Sequence, residues 1–269
     1  KEDLGAGLSA FAVIEGAVQL DGGAGGLGAD RKSVVGLSGG FGAVSLGRQQ
    51  TPLQDVVEST IDAQATSGFS ALTAAANRNA VQAAGSGLNA TTRYANSVRY
   101  DSPNFDGFSG AVQVGLGENK GVGVSAGRNV AFNLAYANGP VAVALGHQND
   151  KVVGGAAALK TTAVGGSYDF GVAKLNLGYA RLSQTGANSQ RDINVGVSVP
   201  VDAFTFVGQY AQEKVSNTAG NARSFALEGR YALSKRTTAY AGYNNTRDSI
   251  GGGVAVKSNR FGVGIRHVF

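Results

Sequence analysis

The sequence predicts an all-β protein, a transmembrane antiparallel β-barrel, and three observations carry that prediction. Apolar residues alternate with small or polar ones at a period of two in 14 segments, the mark of strands with two unlike faces. Short turns alternate with long loops, which puts the tight connections on one rim and the loops on the other. Of 269 residues, 42 are glycine and 4 proline, with no cysteine, methionine or tryptophan, so glycine is far above its usual share of about 7%.

That composition excludes several classes. A collagen needs a Gly-X-Y period and abundant proline, and 43% hydrophobic residues is too many for a disordered linker. Without cysteine there is no disulfide scaffold, zinc ribbon or thiol catalysis, a usage that an oxidising compartment tolerates. The net charge of +5 comes from 23 basic and 18 acidic residues, scattered without the Lys/Arg-rich runs of a nucleic-acid surface. Arginine outnumbers lysine 14 to 9, which suits fixed recognition of carboxylate or phosphate groups. No stretch approaches the roughly 18 apolar residues of a transmembrane helix, and Lys1-Glu2-Asp3-Leu4-Gly5 carries no signal-peptide core.

In chain order the strands are predicted over 8–20, 31–38, 43–48, 96–102, 108–117, 128–137, 140–149, 160–170, 172–183, 191–200, 203–214, 223–233, 236–247 and 259–269. In the first, residues 8–14 are apolar on both alternate sets, as expected of a strand covered on both faces. Val130, Phe132, Leu134 and Tyr136 then alternate with Asn129, Ala131, Asn133 and Ala135, and Val141, Val143 and Leu145 with Ala142, Ala144 and Gly146. These two strands meet at Asn138-Gly139-Pro140, a tight turn. Ile193, Val195, Val197 and Val199 oppose Asp192, Asn194, Gly196 and Ser198, and Phe225, Leu227 and Tyr231 oppose Ser224, Glu228 and Arg230. The last strand sets Phe261, Val263, Ile265, His267 and Phe269 against Arg260, Gly262, Gly264 and Arg266.

A soluble barrel also alternates, but its apolar set fills the interior with bulky side chains. Here the second set is Gly, Ala, Ser, Asn and charges, which suits a wet lumen. Aromatic residues near strand ends, including Tyr136, Tyr168, Phe170, Phe204 and Tyr231, fit girdles at the membrane interfaces. Residues 49–95 break the rhythm, and their Ala-rich stretch from Phe69 to Ala84 predicts a short helix. A loop this long inside a compact fold is usually functional or disordered. Folded into the lumen, it narrows the channel and sets Asp55, Glu58 and Asp62 against cationic residues of the wall.

The chain resembles the Gram-negative general porins, most closely the trimeric, anion-preferring type of β-proteobacteria. The matching stretches are Glu2-Asp3-Leu4-Gly5, residues 35–42 running into Leu46-Gly47-Arg48-Gln49-Gln50-Thr51-Pro52, Asn96-Ser97-Val98-Arg99-Tyr100-Asp101-Ser102-Pro103, Leu233-Ser234-Lys235-Arg236-Thr237, and the terminus from Gly262 to Phe269. The resemblance implies a 16-stranded barrel with loop three, residues 49–95, folded inside as a constriction. It also implies a homotrimer in the bacterial outer membrane, surrounded by lipid and lipopolysaccharide and inserted by an assembly machinery that reads the terminal Phe269. The first residues resemble the end of that family's strand two, so the 14 segments correspond to strands three to sixteen. Closure then needs upstream residues, or a direct pairing of Leu8–Leu20 with Asn259–Phe269.

The resemblance further implies an arginine cluster on the wall facing the acids of the inner loop, with Arg48 and Arg99 at the matching positions. Alternation independently turns Arg99 inward, because Val98 and Tyr100 flank it on the lipid face. Strict alternation puts Arg48 outside with Val44 and Leu46, and an arginine in lipid costs about 2–4 kcal/mol near the midplane. Either a bulge at Gly47 turns it inward, or it snorkels at the rim. Arg93 shares the parity of Arg99, and Lys32, Lys174, Arg230, Arg260 and Arg266 are inward as well, singly read as solvated charges or partners of carboxylates. Against Glu15, Asp101, Asp169, Asp192 and Glu228 they leave a modest basic excess, which predicts weak to moderate anion preference.

Other signals carry little. Gly23-Ala24-Gly25-Gly26-Leu27-Gly28 matches a dinucleotide fingerprint but lacks the βαβ context, and reads as a loop. His147 and His267 lie toward opposite rims, and no triad or carboxylate pair recurs on one inward region, so no catalysis, cofactor or metal is expected. The expected function is passive diffusion of small anionic and neutral solutes. The alternatives are a substrate-selective channel, which needs an aromatic ladder in the lumen, and a plugged structural or adhesive barrel.

Overall fold

A computed structural model of the chain describes residues 1–16, 28–64, 69–71, 90–117, 127–151 and 158–268. The strands are β1 (Glu2–Gly5), β2 (Leu8–Glu15), β3 (Lys32–Gly39), β4 (Gly42–Gln50), β5 (Arg93–Asp101), β6 (Phe108–Leu116), β7 (Arg128–Asn138), β8 (Val141–Asp150), β9 (Leu159–Asp169), β10 (Lys174–Ser183), β11 (Gln190–Val201), β12 (Phe204–Val215), β13 (Ala222–Ala232), β14 (Thr237–Asp248) and β15 (Val256–His267). They are hydrogen-bonded in chain order from β1 to β15. The five pairings from β10 to β15 and the six from β1 to β7 are antiparallel. No helix among the described residues is long and apolar enough to cross a membrane.

Burial is inverted relative to a water-soluble protein. On β12, Gln209 is 1% exposed while Phe206 is 53% exposed, and Gln113 on β6 is fully buried while Leu116 is 55% exposed. Side chains such as Val35, Leu37, Leu46, Val98, Leu134 and Leu227 form the open set. Burial in lipid satisfies such a face, whereas water would make it an aggregation hazard. Tilted aromatic pairs sit at strand ends next to the short turns: Phe108–Tyr136, Tyr168–Phe170 and Phe204–Tyr231, each with ring centroids 4.6 Å apart. Such rings place an apolar body beside lipid and a polar edge beside headgroups.

Two details differ from the sequence expectation. Fifteen strands are described, not 14, because Glu2–Gly5 pairs with β2 through the turn Gly5-Ala6-Gly7; four residues are too few to display alternation. β2 pairs with β1 and β3, and β15 with β14, so the direct pairing of Leu8–Leu20 with Asn259–Phe269 is not formed among the described residues.

The chain divides into two compact units, one of Lys1–Asp55, Ala90–Tyr136 and Leu145–Thr162, the other of Val56–Asn89, Ala137–Ala144 and Ala163–Phe269. In the first, the segment leaving β4 forms a short helix, α1 (Pro52–Val56). Thr51 caps it, its hydroxyl accepting from the Gln54 amide at 3.3 Å, and Pro52 at the first helical position lacks an amide that would otherwise go unpaired. In the second, a π-helical turn over Val57–Ile61 follows. Among the described residues helical structure thus lies at 52–61 and at Ala71, inside the expected helix from Phe69 to Ala84, the rest of which falls mostly outside the described residues, as do most of the glycine-rich loop at 23–28 and Phe269.

Candidate functional site

In the first unit Arg99 and Asp55 are brought into contact. Register sets Arg99 of β5 opposite Ser45 of β4 and Gln113 of β6, both buried, so Arg99 stands on the polar face. Its Nη2 donates to Asp55 Oδ2 and to Asp101 Oδ1, each at 2.6 Å, its Nε reaches both Asp101 oxygens at 3.0 Å, and its Nη1 donates to the Gln50 carbonyl at 3.0 Å. Gln50 Nε2 in turn donates to Asp55 Oδ1 at 3.1 Å. Burial pushes the Asp55 carboxyl above its ordinary value, and this outweighs the Arg99 guanidinium, which pulls it down.

Around this pair lies a cavity of about 310 Å³ in which the cations Arg31, Lys32, Arg93 and Arg99 face the carboxylates Glu15, Asp55 and Asp101. Arg31 Nε donates to Glu15 Oε1 at 2.5 Å, with both side chains half exposed, so solvent screens that pair. Arg31 opens the predicted strand 31–38 at the parity opposite to Lys32, so alternation does not count it among the inward cations; the observed β3 starts one residue later, at Lys32.

Arg48 lies elsewhere. Ser45 and Gln49 are both buried, and Ser45 Oγ donates to Gln49 Oε1 at 2.8 Å, so alternation on β4 is unbroken and Arg48 shares the parity of Leu46. The register irregularity near Gly47 is present, but Gly47 opposes Ser97 while Gln49 opposes Tyr94. The extra residue is therefore on β5, at Ala95-Asn96, where Asn96 has φ +46°. Arg48 Nε donates to the Asp30 carbonyl at 2.6 Å, just before β3, the snorkelling arrangement and not the inward one.

Of the other loop acids, Glu58 is exposed. Asp62 is buried and serves a turn: it accepts from the Gln64 amide at 2.9 Å and the Ser70 hydroxyl at 2.7 Å. Burial raises its carboxyl above the ordinary value, opposed by hydrogen bonds from Ser70, the Gln64 amide and Gln209. These partners of Asp62 are neutral donors, where a wall cation was expected.

In the second unit the described residues 57–64 and 69–71 pack on the polar face of its strands. Asn176 of β10 donates to the Thr60 carbonyl at 2.9 Å, Asn194 of β11 to the Ile61 carbonyl at 2.6 Å, and Asn244 of β14 to the Phe69 carbonyl at 3.3 Å. Asn133 of β7 does the same in the first unit, reaching the Pro52 carbonyl at 2.9 Å. Glycines make the room: a Cβ on Gly178 would collide with Ile61, one on Gly196 would lie 2.7 Å from Ala63 Cβ, and one on Gly262 would lie 2.7 Å from Phe69 Cζ.

The remaining wall charges share this face. Lys174 has the parity of Asn176, and Arg260 pairs with Asn244. Arg230 binds Glu228 and donates to the Ala63 carbonyl at 3.3 Å, and a hollow of about 230 Å³ lies between Thr205, Arg230, Thr238, Tyr240 and Arg266. His147 and His267 each meet a threonine hydroxyl, Thr162 at 2.8 Å and Thr237 at 2.9 Å. No cluster of metal-ligating side chains occurs among the described residues.

Strands with an open apolar face, a polar face lined with charges, and rings at the strand ends define an outer-membrane β-barrel channel. A family model described as Gram-negative porin matches residues 1–251, and the chain belongs to that family. Over its whole length it is 34% identical to outer membrane porin protein 32 of Delftia acidovorans, covering 82% of that protein. It is 30% identical to an outer membrane porin protein of Bordetella pertussis, covering 80% of that one. Among solved structures, the anion-selective porin from Comamonas acidovorans matches with a TM-score of 0.81 at 29% identity, over all of this chain and 87% of that one. The fold is the porin fold and the location is the bacterial outer membrane.

Proposed function

We propose that the chain is a general diffusion channel for small hydrophilic solutes and ions, with a weak to moderate preference for anions, and that the loop of residues 49–95, of which 51–92 lie between β4 and β5, is its constriction. The observation that carries this reading is the Arg99–Asp55 contact, in a cavity where four cations meet three carboxylates. Opposed charges across a gap create a transverse field, and a basic excess raises the local concentration of anions. The basic wall consists of Arg99, Arg93, Lys32 and Arg31, with Arg48 outside it. The channel acts by sieving and fixed charge, without a catalytic step.

A homotrimer is the proposed assembly. β2 is apolar on both sets: Phe11 lines the cavity, while Ile14 on the other face is 78% exposed. Outer-membrane lipid and lipopolysaccharide are the proposed surroundings, and the assembly machinery, reading the C-terminal strand, the proposed route of insertion.

Planar-bilayer recording of the refolded protein tests the channel reading. Stepwise conductance rising in threes is expected. Insertion without conductance would favour a structural or adhesive barrel.

A further inference from the structure

The point where the inner segment rejoins the wall holds a buried network that the channel reading does not itself require. Asp150, the last residue of β8, is 7% exposed, and its carboxylate accepts three hydrogen bonds. The Tyr94 hydroxyl donates to Oδ1 at 2.5 Å, Gln148 Nε2 to Oδ2 at 2.7 Å and the Thr91 amide to Oδ2 at 3.3 Å. Gln148 Nε2 also donates to the Thr91 carbonyl at 2.7 Å, and Tyr94 and Gln148 are themselves fully buried. These partners are neutral, so convergent donors hold the carboxylate in place of a counter-ion.

The network does not end there. The Thr51 amide donates to the Thr92 carbonyl at 3.0 Å, and the Thr51 hydroxyl to the Thr91 carbonyl at 3.5 Å, so the two ends of the segment are tied to each other. Thr51 then opens α1, where its carbonyl accepts from the Asp55 amide at 3.2 Å. Asp55 is the carboxylate that meets Arg99. An unbroken run of bonds joins Asp150 to the Arg99–Asp55 pair.

We propose that Asp150, acting through Tyr94, Gln148 and Thr91, is a positioning residue of the channel: it clamps the root of the inner segment and fixes where Asp55 stands relative to Arg99. This rests on the reading of residues 51–92 as the constriction. Releasing the clamp lets α1 shift without unfolding the wall, because β4, β5 and β8 keep their ladders. The open pore then flickers, and Arg99 spends time without its loop carboxylate.

Asp150→Asn tests this, since the amide still accepts from Tyr94 but turns an NH2 toward the donors of Gln148 and Thr91. Recorded in planar bilayers with the full chain, D150N is expected to close briefly about tenfold more often than the parent, the ratio that corresponds to about 1.4 kcal/mol. Its permeability ratio should move toward anions; because the substitution itself removes a negative charge, the ratio in Tyr94→Phe, which keeps every charge in place, is the one that separates the clamp from the charge. Tyr94→Phe removes a single donor and should move both readings the same way by less; it decides the matter if D150N does not fold. Closure frequency and permeability ratio equal to the parent in these variants would overturn the clamp, and an altered ratio in Asp55→Asn would at the same time leave the channel reading standing. A parent chain without conductance would bring down both.

Discussion

Hydrogen bonds to Asp55, Asp101 and the Gln50 carbonyl hold Arg99 in place, yet its charge reaches further than they do. Arg99→Gln keeps a donor toward Asp55 and removes the charge. At about 8 Å from an ion in water a unit charge is worth about 0.5 kcal/mol, roughly twofold in a permeability ratio. The zero-current potential of R99Q should fall by that amount, and an unchanged potential would move the preference to Lys32 and Arg93. Acidification acts through Asp55. Because burial holds its carboxyl above the ordinary value, it takes up a proton before exposed aspartates do as pH falls. Each proton removes a negative charge from the gap, so anion preference should grow as pH drops through the carboxylate range, and the potential measured at stepped pH checks the sign. Asp62 bears on stability. Its folded carboxyl is also raised and binds its proton more tightly when folded, so its contribution is full below the unfolded value and is lost as pH rises through the folded one. Asp62→Asn is therefore expected to raise the thermal midpoint at neutral pH and to leave it nearly unchanged in acid.

At the scale of elements, asparagine and glycine together explain how residues 57–64 lie against the strands. A buried carbonyl deprived of its donor costs about 1–3 kcal/mol, so Asn194→Ala should loosen the π-turn at Ile61. Faster protease cleavage within 57–64 of the detergent-solubilised protein would report it, and unchanged cleavage would show that Asn194 anchors nothing. These contacts were only half legible. Parity turns Asn176 and Asn194 inward, but their partners lie 116 and 133 residues away, beyond any local pattern. For Arg48 alternation points outward and the resemblance inward; alternation on β4 holds because the extra residue sits on the neighbouring strand, where Asn96 adopts a left-handed backbone. The cap of α1 was readable in Thr51-Pro52; the helix was hidden because five residues are too few to show a 3.6 period.

For the whole molecule, the period of two is so plain because lipid outside and polar contacts inside give each strand two unlike solvents. That is why strand order and the inward side of Arg99, Lys32 and Arg230 could be read from the sequence, while the asparagines that hold the inner segment's carbonyls could not be matched to their partners. Part of the glycine excess has a cause in the niches at Gly178, Gly196 and Gly262, where the wall receives the inner segment. The apolar face of β2 is expected to be covered by a neighbouring copy, so Ile14→Lys should weaken the trimer in native electrophoresis; an unchanged trimer would place the interface elsewhere. An anion-preferring diffusion pore shows itself in the zero-current potential of the refolded wild-type protein in a potassium chloride gradient. The potential should take the sign set by chloride and be smaller than that of an ideal anion electrode; a potential of the sign set by potassium would rule the anion preference out.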